Sequence, residues 1–337
     1  MSTALCYERH DDRSVGCRLC RHRCRISAGG RGVCRVRENR DGDLISLVYG
    51  LVVAEQVDPI EKKPLFHLLP GSRSYSLAAV GCNFRCRHCQ NAAIAQYDDQ
   101  GSGGMPGRPL QPAEAVRRAL SAGCRSIAYT YTEPTVWFEY ALATARLAAE
   151  AGLYNIFVTN GYITPEALTM IAPVLHAANI DLKGFSEAFY RRVCGGRLSE
   201  VLDCIRDYRR RGIWIELTTL VIPGENDDQQ QLHGIARFIA DELGPDTPWH
   251  ISRFFPCHLM QDRPPTPLQA LERALEAGDR AGLRYIYEGN VPHGRESTRC
   301  PHCGAVVVGR TGYAVTRLTL RDGACGACGA PIAGIWG

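Results

Sequence analysis

The stretch Gly81-Cys82-Asn83-Phe84-Arg85-Cys86-Arg87-His88-Cys89-Gln90-Asn91 places three cysteines in one short loop. It follows the apolar run YSLAAV at 75–80, a pattern typical of a buried strand that opens onto a loop. The Cys-x3-Cys-x2-Cys spacing allows Cys82, Cys86 and Cys89 to converge on one metal centre. Structural zinc sites take four protein ligands, and most iron–sulfur clusters take four thiolates. Three thiolates therefore favour a cluster with one iron open to a substrate, and a zinc loop completed by His88 or a remote residue is the alternative.

These three cysteines, with the aromatic His88 just before the last of them, resemble the signature of the radical S-adenosylmethionine (SAM) superfamily. The stretch Asp58-Pro59-Ile60-Glu61-Lys62-Lys63-Pro64-Leu65-Phe66-His67 resembles the radical SAM enzyme of the AmmeMemoRadiSam system, which is related to pyruvate formate-lyase activating enzymes. The resemblance covers most of the chain. It implies that the three thiolates bind a [4Fe–4S] cluster whose fourth iron chelates SAM. Reductive cleavage would then give methionine and a 5′-deoxyadenosyl radical that abstracts hydrogen from a protein or small-molecule substrate.

Strand and helix patterns alternate from residue 75 onward. This alternation predicts an α/β fold with a parallel sheet and right-handed crossovers. Six or seven such units favour an open or partial (β/α)6 TIM-type barrel over a doubly wound sheet, and the resemblance points the same way. After the first strand, the predicted strands lie at 126–130, 155–159, 178–182, 214–220, 250–254 and 284–287, and the predicted helices at 111–122, 136–151, 165–177, 200–211, 228–243 and 267–281.

Polar side chains follow several of these strands, at the edge of a parallel barrel where active sites form. Thr132 and Glu133 follow one strand, Asn160 follows the next, and Asp181 and Lys183 follow the third. Turn chemistry alone can explain any single one of them, because turns favour Asn, Asp and Gly. Their coincidence with the three-cysteine loop predicts an active site at this edge.

The four chemical parts of SAM suggest roles for these residues. Glu133 suits the ammonium because a carboxylate accepts charge-assisted hydrogen bonds, and a carboxylate at a helix N-terminus is the alternative. The superfamily's Gly-Gly-Glu-Pro is Tyr131-Thr132-Glu133-Pro134 here, so Thr132 offers its carbonyl and hydroxyl. Asn160 and Asp181 are candidates for ribose or carboxylate contacts, and Lys183 for the substrate or the surroundings of the sulfonium.

Two histidines complete the expected cofactor-binding set. His88 belongs to it through its place in the signature. His250 resembles a strand-end histidine that meets the SAM carboxylate in similar activating enzymes, and an interior histidine with satisfied hydrogen bonds is the alternative. Lys62 and Lys63 either form an exposed turn or lie beside the active site and contact an acidic substrate.

Two further cysteine groups lie at the ends of the chain. Zinc, a second iron–sulfur cluster and free thiols all remain open for the N-terminal group, Cys17, Cys20, Cys24 and Cys34. Paired CxxC motifs predict a zinc-ribbon or rubredoxin-like unit around a hairpin near 309–313, with the ligands Cys300, Cys303, Cys325 and Cys328. The predicted domains are therefore a metal knuckle at 1–42, a radical SAM core at 43–294 and a C-terminal knuckle at 295–337.

Composition limits the setting of this chemistry. The 337 residues are 45% apolar and 22% charged, as in ordinary globular proteins, and sixteen are cysteines. No apolar run reaches the roughly 20 residues of a membrane span, and the N-terminus lacks the apolar centre of a signal peptide. We therefore expect a cytoplasmic oxidoreductase with reduced or metal-bound cysteines and no membrane partner. The resemblance further implies SAM, an electron donor such as flavodoxin or ferredoxin, and proteins of the AmmeMemoRadiSam system as partners.

A zinc-rich nucleic-acid-binding module is the competing interpretation. Eight arginines between Cys17 and Arg40 form a local basic region, although Lys and Arg exceed Asp and Glu only by 39 to 35. This interpretation does not explain why one cysteine group has three members at a strand end. The sequence also lacks a repeated aromatic stacking motif, so nucleic acid is not an expected partner.

Overall fold

One eight-stranded sheet forms the centre of the molecule in a computed structural model that describes residues 1–97, 104–292 and 294–337. Its strands lie in the order β8-β7-β6-β5-β4-β3-β2-β1, so that chain neighbours are also neighbours in the sheet. Strands β2 to β8 run parallel, and β1 pairs antiparallel with β2. The strands are β1 (Ala54–Pro59), β2 (Arg73–Ala78), β3 (Ser126–Tyr129), β4 (Tyr154–Thr159), β5 (Ala177–Asp181), β6 (Trp214–Val221), β7 (Trp249–Arg253) and β8 (Ile286–Gly289).

Among the described residues, six helices of seven residues or more connect the parallel strands, one after each of β2 to β7, and the short helices Ala92–Ala95 and Glu187–Phe189 lie in the same connections. The six are α1 (Pro112–Ser121), α2 (Phe138–Glu150), α3 (Pro165–Ile171), α4 (Leu198–Arg210), α5 (Gln229–Phe238) and α6 (Leu268–Arg280). Helix α1 shows why they form: a proline occupies its first turn, and Ala115, Val116 and Ala119 make the buried stripe that packs on the sheet. None of the helices in the described part of the chain combines the length and apolarity that a membrane span requires.

The predicted α/β fold is confirmed, because strictly sequential parallel strands with a helix in each crossover are the winding of a partial (β/α)6 barrel. Three helices differ from their predicted bounds by more than one turn or in type of turn. The helix expected at 165–177 ends at Ile171 and is followed by a 3₁₀ turn, Ala172–Val174. The helix expected at 136–151 is preceded by a 3₁₀ turn, Pro134–Trp137, and begins at Phe138. The helix expected at 228–243 ends at Phe238 and continues as one wide turn, Ile239–Leu243. All three changes occur at helix ends, where hydrophobic periodicity says least.

The N-terminal segment packs directly on the barrel. Its short strands are Ser2–Thr3, Tyr7–Arg9, Val15–Cys17, Arg25–Ile26, Arg37–Arg40 and Asp43–Ser46, and Leu51–Val52 pairs with Arg108–Pro109. Buried apolar residues of this segment belong to the same hydrophobic cluster as those of the barrel. Arg37 and Glu139 of α2 form an ion pair that is almost fully buried. The division at residues 42 and 43 stays a prediction.

The C-terminal segment is built from two small antiparallel sheets. Val306–Thr311 pairs with Ala314–Leu318, which confirms the predicted hairpin, and Thr298–Arg299 pairs with the first of these strands. Leu320–Arg321 pairs with Ala324–Cys325. A separate hydrophobic cluster joins this segment to Phe66, Tyr285 and Tyr287 of the barrel.

Candidate active site

A pocket of about 320 Å³ opens at the carboxyl ends of the parallel strands. Most of the residues that line it lie within or after the strands β2 to β7, as expected for the active edge of a parallel barrel. All three cysteines of the central loop line this pocket. Eight of the other residues predicted from the sequence also line it: Lys62, Lys63, His88, Thr132, Glu133, Asn160, Asp181 and Lys183. The predicted coincidence of these groups is therefore observed.

The cysteine loop is held by two segments from elsewhere in the chain. Backbone N–H groups of Arg85 and Arg87 donate to the carbonyls of Cys194 and Val193 at 2.8 and 2.9 Å. On the other side, the N–H of Leu259 donates to the Arg87 carbonyl at 3.0 Å. These bonds fix the loop backbone independently of any ligand, so its thiols are presented in one arrangement.

The thiols of this loop show the environment of metal-bound thiolates. The Phe84 N–H donates to Cys82 Sγ at 3.3 Å. Burial, together with the charge of Glu133, raises the pKa of Cys82 well above its ordinary value. A buried thiolate in this position therefore needs a bound cation to be stable. A single zinc ion holds its thiolate sulfurs about 3.8 Å from one another. The sulfurs of Cys82, Cys86 and Cys89 lie farther apart than this.

Glu133 is a buried carboxylate with capacity for one more donor. Its Oε1 accepts from the backbone and hydroxyl of Thr135 at 3.0 and 2.5 Å and from the Thr159 hydroxyl at 2.8 Å. Among the described residues, its Oε2 accepts from the Asn160 N–H alone, at 2.8 Å. A carboxylate has about four lone-pair positions, two on each oxygen. Glu133 does cap a short helical turn, yet its Oε2 remains able to accept from a ligand in the pocket.

The two residues before Glu133 take unusual roles. Tyr131 has a positive φ of 65°, which is strained for a bulky side chain and typical of functional loops. The Thr132 hydroxyl donates to the Ala79 carbonyl at 2.7 Å and accepts from Trp137 Nε1 at 3.2 Å. This hydroxyl is already used within the protein, so the Thr132 carbonyl is the group left for a ligand.

Asn160 lies against the cysteine loop. Its Nδ2 donates to Asn83 Oδ1 at 2.7 Å and lies 3.7 Å from Cys82 Sγ. Its Oδ1 is buried and has no hydrogen-bond partner among the described residues. A buried amide oxygen without a partner costs free energy unless a ligand donates to it, so Asn160 fits a ligand-binding role.

Asp181 and Lys183 form an ion pair inside the pocket, with Oδ2 and Nζ 2.8 Å apart. Burial would lower the pKa of Lys183, but the charges of Asp181, Cys86 and Cys194 raise it well above its usual value. Lys183 therefore stays a cation beside the cysteine loop. The pocket thus offers an anion on one side, at Glu133, and a fixed cation on the other.

Comparisons with known proteins agree with this arrangement. Residues 77–234 match the sequence profile described as the Radical SAM superfamily. Uncharacterized protein MJ0808 of Methanocaldococcus jannaschii is 44% identical over 335 residues, which are 98% of this chain and 99% of that protein. Uncharacterized protein MJ0674 of the same organism is 24% identical over 285 residues, 81% of this chain and 77% of that protein. The chain belongs to the radical SAM superfamily.

A solved structure shows the same fold. Streptococcus suis SuiB bound to S-adenosylmethionine aligns with a TM-score of 0.51 and 13% identity, over 69% of this chain and 53% of SuiB. At this identity the similarity concerns the fold alone.

The two histidines of the expected set occupy different places in this radical SAM fold. His88 lines the pocket, stacks on Phe189 with ring centroids 6.5 Å apart and has a buried Nδ1 without a partner among the described residues. His250 does not line the pocket. Its Nε2 contacts Glu216 Oε2 at 2.6 Å, and its ring stacks on Tyr287. The structure thus puts His250 in the interior with satisfied hydrogen bonding, the alternative that the sequence left open.

A second polar network borders the pocket beside Tyr131. Asp58 accepts from Lys62 at 2.9 Å, from Lys63 at 2.7 Å, and from the Tyr131 and Ser76 hydroxyls. Although burial opposes it, these donors hold the pKa of Asp58 well below its usual range. Lys62 and Lys63 are therefore not an ordinary exposed turn. Their two positive charges face one aspartate at the mouth of the pocket.

The C-terminal cysteines form a different kind of centre. Cys300, Cys303, Cys325 and Cys328 all have sulfurs within 4.8 Å of one another, with two pairs at 3.7 Å. Four thiolates bound to one tetrahedral zinc lie about 3.8 Å apart, so this group fits a single metal ion. None of the four lines the pocket.

The basic N-terminal region is largely neutralised within the chain. Ion pairs join Arg18 to Glu8, Arg21 to Glu200 and Asp207, Arg23 to Glu166, Arg25 to Asp12, Arg37 to Glu139, and Arg31 and Arg40 to Glu38. A surface already paired with carboxylates is a poor phosphate-binding surface. This observation weighs against the nucleic-acid-binding interpretation.

Sequence reasoning missed Asn83, Asp58 and Tyr131. Asn83 Oδ1 positions Asn160, and Asp58 binds the two lysines. Asn83 lies inside the cysteine signature, so that signal was available. The link between Asp58 and Tyr131 spans 73 residues and arises only when the sheet forms.

Proposed function

We propose that this chain uses a [4Fe–4S] cluster on Cys82, Cys86 and Cys89 to cleave SAM reductively and to abstract hydrogen from a substrate. The observation that supports this most is the pocket, which Cys82, Cys86 and Cys89 line beside a buried carboxylate with open capacity. Cys194 lies against Cys86 but does not line the pocket. When bound, the cluster supplies the electron that splits SAM into methionine and a 5′-deoxyadenosyl radical. The protein supplies binding, orientation and exclusion of water.

The residues of the pocket suit the parts of SAM. Glu133 Oε2 accepts from the ammonium, and the Thr132 carbonyl accepts beside it. Lys183, held by Asp181, offers a cation to the carboxylate. Asn160 Oδ1 accepts from a ribose hydroxyl, and His88 offers an apolar ring face to the adenine. Each role uses a polar atom or ring that borders the pocket.

The finer class of the enzyme is also part of this proposal. We infer an activating-enzyme-like oxidoreductase of the AmmeMemoRadiSam system, with an electron carrier such as flavodoxin or ferredoxin. Its target is a glycine of a partner protein, a peptide or a small molecule. Lys62 and Lys63 at the mouth of the pocket would favour an acidic group on that target.

Anaerobic reconstitution with iron and sulfide tests the core of the proposal. Reduced wild-type protein should convert SAM to 5′-deoxyadenosine, measured by liquid chromatography with mass detection. Cys86→Ala should abolish this product. Cys124→Ala, which alters a buried cysteine distant from the pocket, is the matched control and should retain it. Equal product from Cys86→Ala and wild type would refute the assignment.

Isotope transfer tests the hydrogen-abstraction step. A candidate substrate labelled with deuterium at the reacting carbon should deliver that deuterium into 5′-deoxyadenosine. Unlabelled product from a substrate that is nevertheless consumed would exclude direct abstraction at that carbon.

A further inference from the structure

The N-terminal segment holds four buried or half-buried cysteines, Cys17, Cys20, Cys24 and Cys34. A Cβ added to Gly32 would lie 3.8 Å from Cys24 Sγ and 3.9 Å from Cys34 Sγ, so these two sulfurs face the same space. The N–H of Cys17 donates to the Cys24 carbonyl at 2.8 Å, which places Cys17 beside Cys24. The segment that holds all four cysteines packs on the barrel.

The spacing of the sulfurs distinguishes the kind of metal centre. The C-terminal ribbon has all four sulfurs within 4.8 Å of one another, and in the described part of the chain it is the one cysteine group that does. A mononuclear zinc site requires sulfurs about 3.8 Å apart. The N-terminal group is more widely spaced, and so is the central group of Cys82, Cys86 and Cys89.

Wide spacing is what a cubane cluster demands, because each thiolate then binds a different iron. A [2Fe–2S] cluster instead seats two thiolates on each iron and would bring the sulfurs together in pairs. Sulfur pairs at 3.7 Å occur in the ribbon, whereas the structure shows none among the described N-terminal cysteines. The spacing therefore favours four irons over two.

A buried cation stands beside this group. Arg37 is 2% exposed, and although it pairs with Glu139, its Nη1 has no hydrogen-bond partner among the described residues. It follows Cys34 by three residues in the same knuckle. A guanidinium with an unused buried N–H is costly unless an anionic group is nearby, and a cluster with four thiolates is an anion.

The N-terminal group also touches the central cysteine loop. A Cβ on Gly81 would lie 3.4 Å from the Cys34 carbonyl oxygen and 2.7 Å from Val36 Cγ1. His22 Nε2 contacts the Asn83 carbonyl at 2.8 Å. The two cysteine groups are thus separated by the width of a few residues.

We propose that Cys17, Cys20, Cys24 and Cys34 bind a second [4Fe–4S] cluster, with all four irons held by protein thiolates, directly behind the loop of Cys82, Cys86 and Cys89. This site goes beyond the proposed SAM cleavage. Because protein thiolates hold all four irons, this cluster has no open iron that could chelate SAM. Its chemistry is one-electron chemistry.

The test uses a full-length variant in which Cys82, Cys86 and Cys89 are all replaced by Ala. After anaerobic purification, iron, sulfide and zinc are counted and Mössbauer spectra are recorded. We expect about four iron and about four sulfide ions per chain in a [4Fe–4S] spectrum, with about one zinc ion from the ribbon. About two zinc ions without iron, or a [2Fe–2S] spectrum, would overturn the proposal.

A second variant assigns the ligands. Adding Cys20→Ser to the triple variant should remove most of the remaining iron while the ribbon zinc and the circular dichroism spectrum stay unchanged. Adding Cys124→Ala instead is the matched control and should leave the iron in place. Full retention of iron after Cys20→Ser would contradict the assignment. Because the triple variant cannot hold the SAM-cleaving cluster, these results do not depend on whether the wild type cleaves SAM.

Discussion

At the scale of single residues, Glu133 both holds its neighbours in place and faces the pocket. Four hydrogen bonds from Thr135, Thr159 and Asn160 fix its carboxylate, and Oε2 keeps one lone pair toward the pocket. Burial raises the pKa of Glu133, while these donors lower it. Such a group is structural and ligand-binding at once, so a test must separate the two roles.

Glu133→Gln should raise the KM for SAM by about tenfold or more, because a hydrogen bond to a charged group contributes about 1.5–3 kcal/mol. The readout is 5′-deoxyadenosine formation at varied SAM concentration. Thr135→Val is the matched control: it removes one donor to Glu133 but keeps the charge. It should lower the melting temperature and leave the KM near the wild-type value. If both variants lowered the melting temperature and their KM values did not differ, Glu133 would be only structural.

Residues whose polar side chains suit the site were predictable from the sequence. Residues whose position depends on long-range contacts were not. Glu133, Asn160, Asp181 and Lys183 stand out as polar groups after apolar strands, and all four line the pocket. The environment of His250 could not be predicted, because no local sequence pattern indicates that Glu216, thirty-four residues earlier, contacts its ring. Its interior place results from strand register, which pairs β6 with β7.

At the scale of elements, the segment after β5 determines the shape of the cysteine loop. The wide helical turn Tyr190–Cys194 ends at Gly195 and Gly196, and its carbonyls accept from the loop backbone. Such π-type turns occur often at functional sites. Alternating periodicity predicted the regular strands and helices around it, but a turn of this kind has no periodic signal.

Gly196→Ala should displace the cysteine loop, because a Cβ there would lie 2.5 Å from the Phe84 ring. Overpacking of this size costs about 1–3 kcal/mol, too little to unfold a domain of this length but enough to shift the loop. We expect reduced iron in the central site, measured in protein whose N-terminal cysteines are replaced by Ala. Gly104→Ala, where a Cβ would meet nothing within 4 Å, should retain the iron. Equal iron in both variants would show that the loop tolerates the clash.

At the scale of the whole molecule, the C-terminal ribbon is a structural attachment separate from the pocket. It docks through Arg310, whose Nη2 donates to the Phe66 carbonyl at 2.6 Å, and through the Ile335 N–H, which donates to His67. The CxxC spacing predicted its metal ligands, yet this docking depends on contacts between residues more than 240 positions apart, 244 for Arg310 and Phe66.

Replacing Cys303 and Cys328 by Ser should therefore release the ribbon zinc and lower the melting temperature by several degrees, since about 1 kcal/mol shifts a domain of this size by roughly 2–4 °C. Formation of 5′-deoxyadenosine at low temperature should remain close to that of the wild type. Zinc content and calorimetry are the measurements. Loss of SAM cleavage at a temperature where the variant is folded would mean that the ribbon takes part in the chemistry.

Acid should loosen the same junction through His67. Its ring contacts the Ala333 carbonyl and the Tyr287 hydroxyl, both at 2.6 Å, and burial lowers its pKa to about 4, although Glu216 opposes the shift. The ordinary value is about 6.5. Between those values the unfolded chain binds a proton that the folded chain does not, so the free energy of unfolding falls as pH falls, by at most about 1.4 kcal/mol per pH unit.

His67→Gln keeps hydrogen-bonding capacity without titrating, and should flatten this slope in denaturant titrations between about pH 4.5 and 6.5. The pKa of Glu216 is lowered from 4.5 to about 2, so its own contribution is lost mainly below pH 4.5, the lower edge of this window. His10→Gln, at a partly exposed histidine away from the junction, should leave the slope as in the wild type, and an unchanged slope in His67→Gln would exclude His67 as the acid-sensitive group.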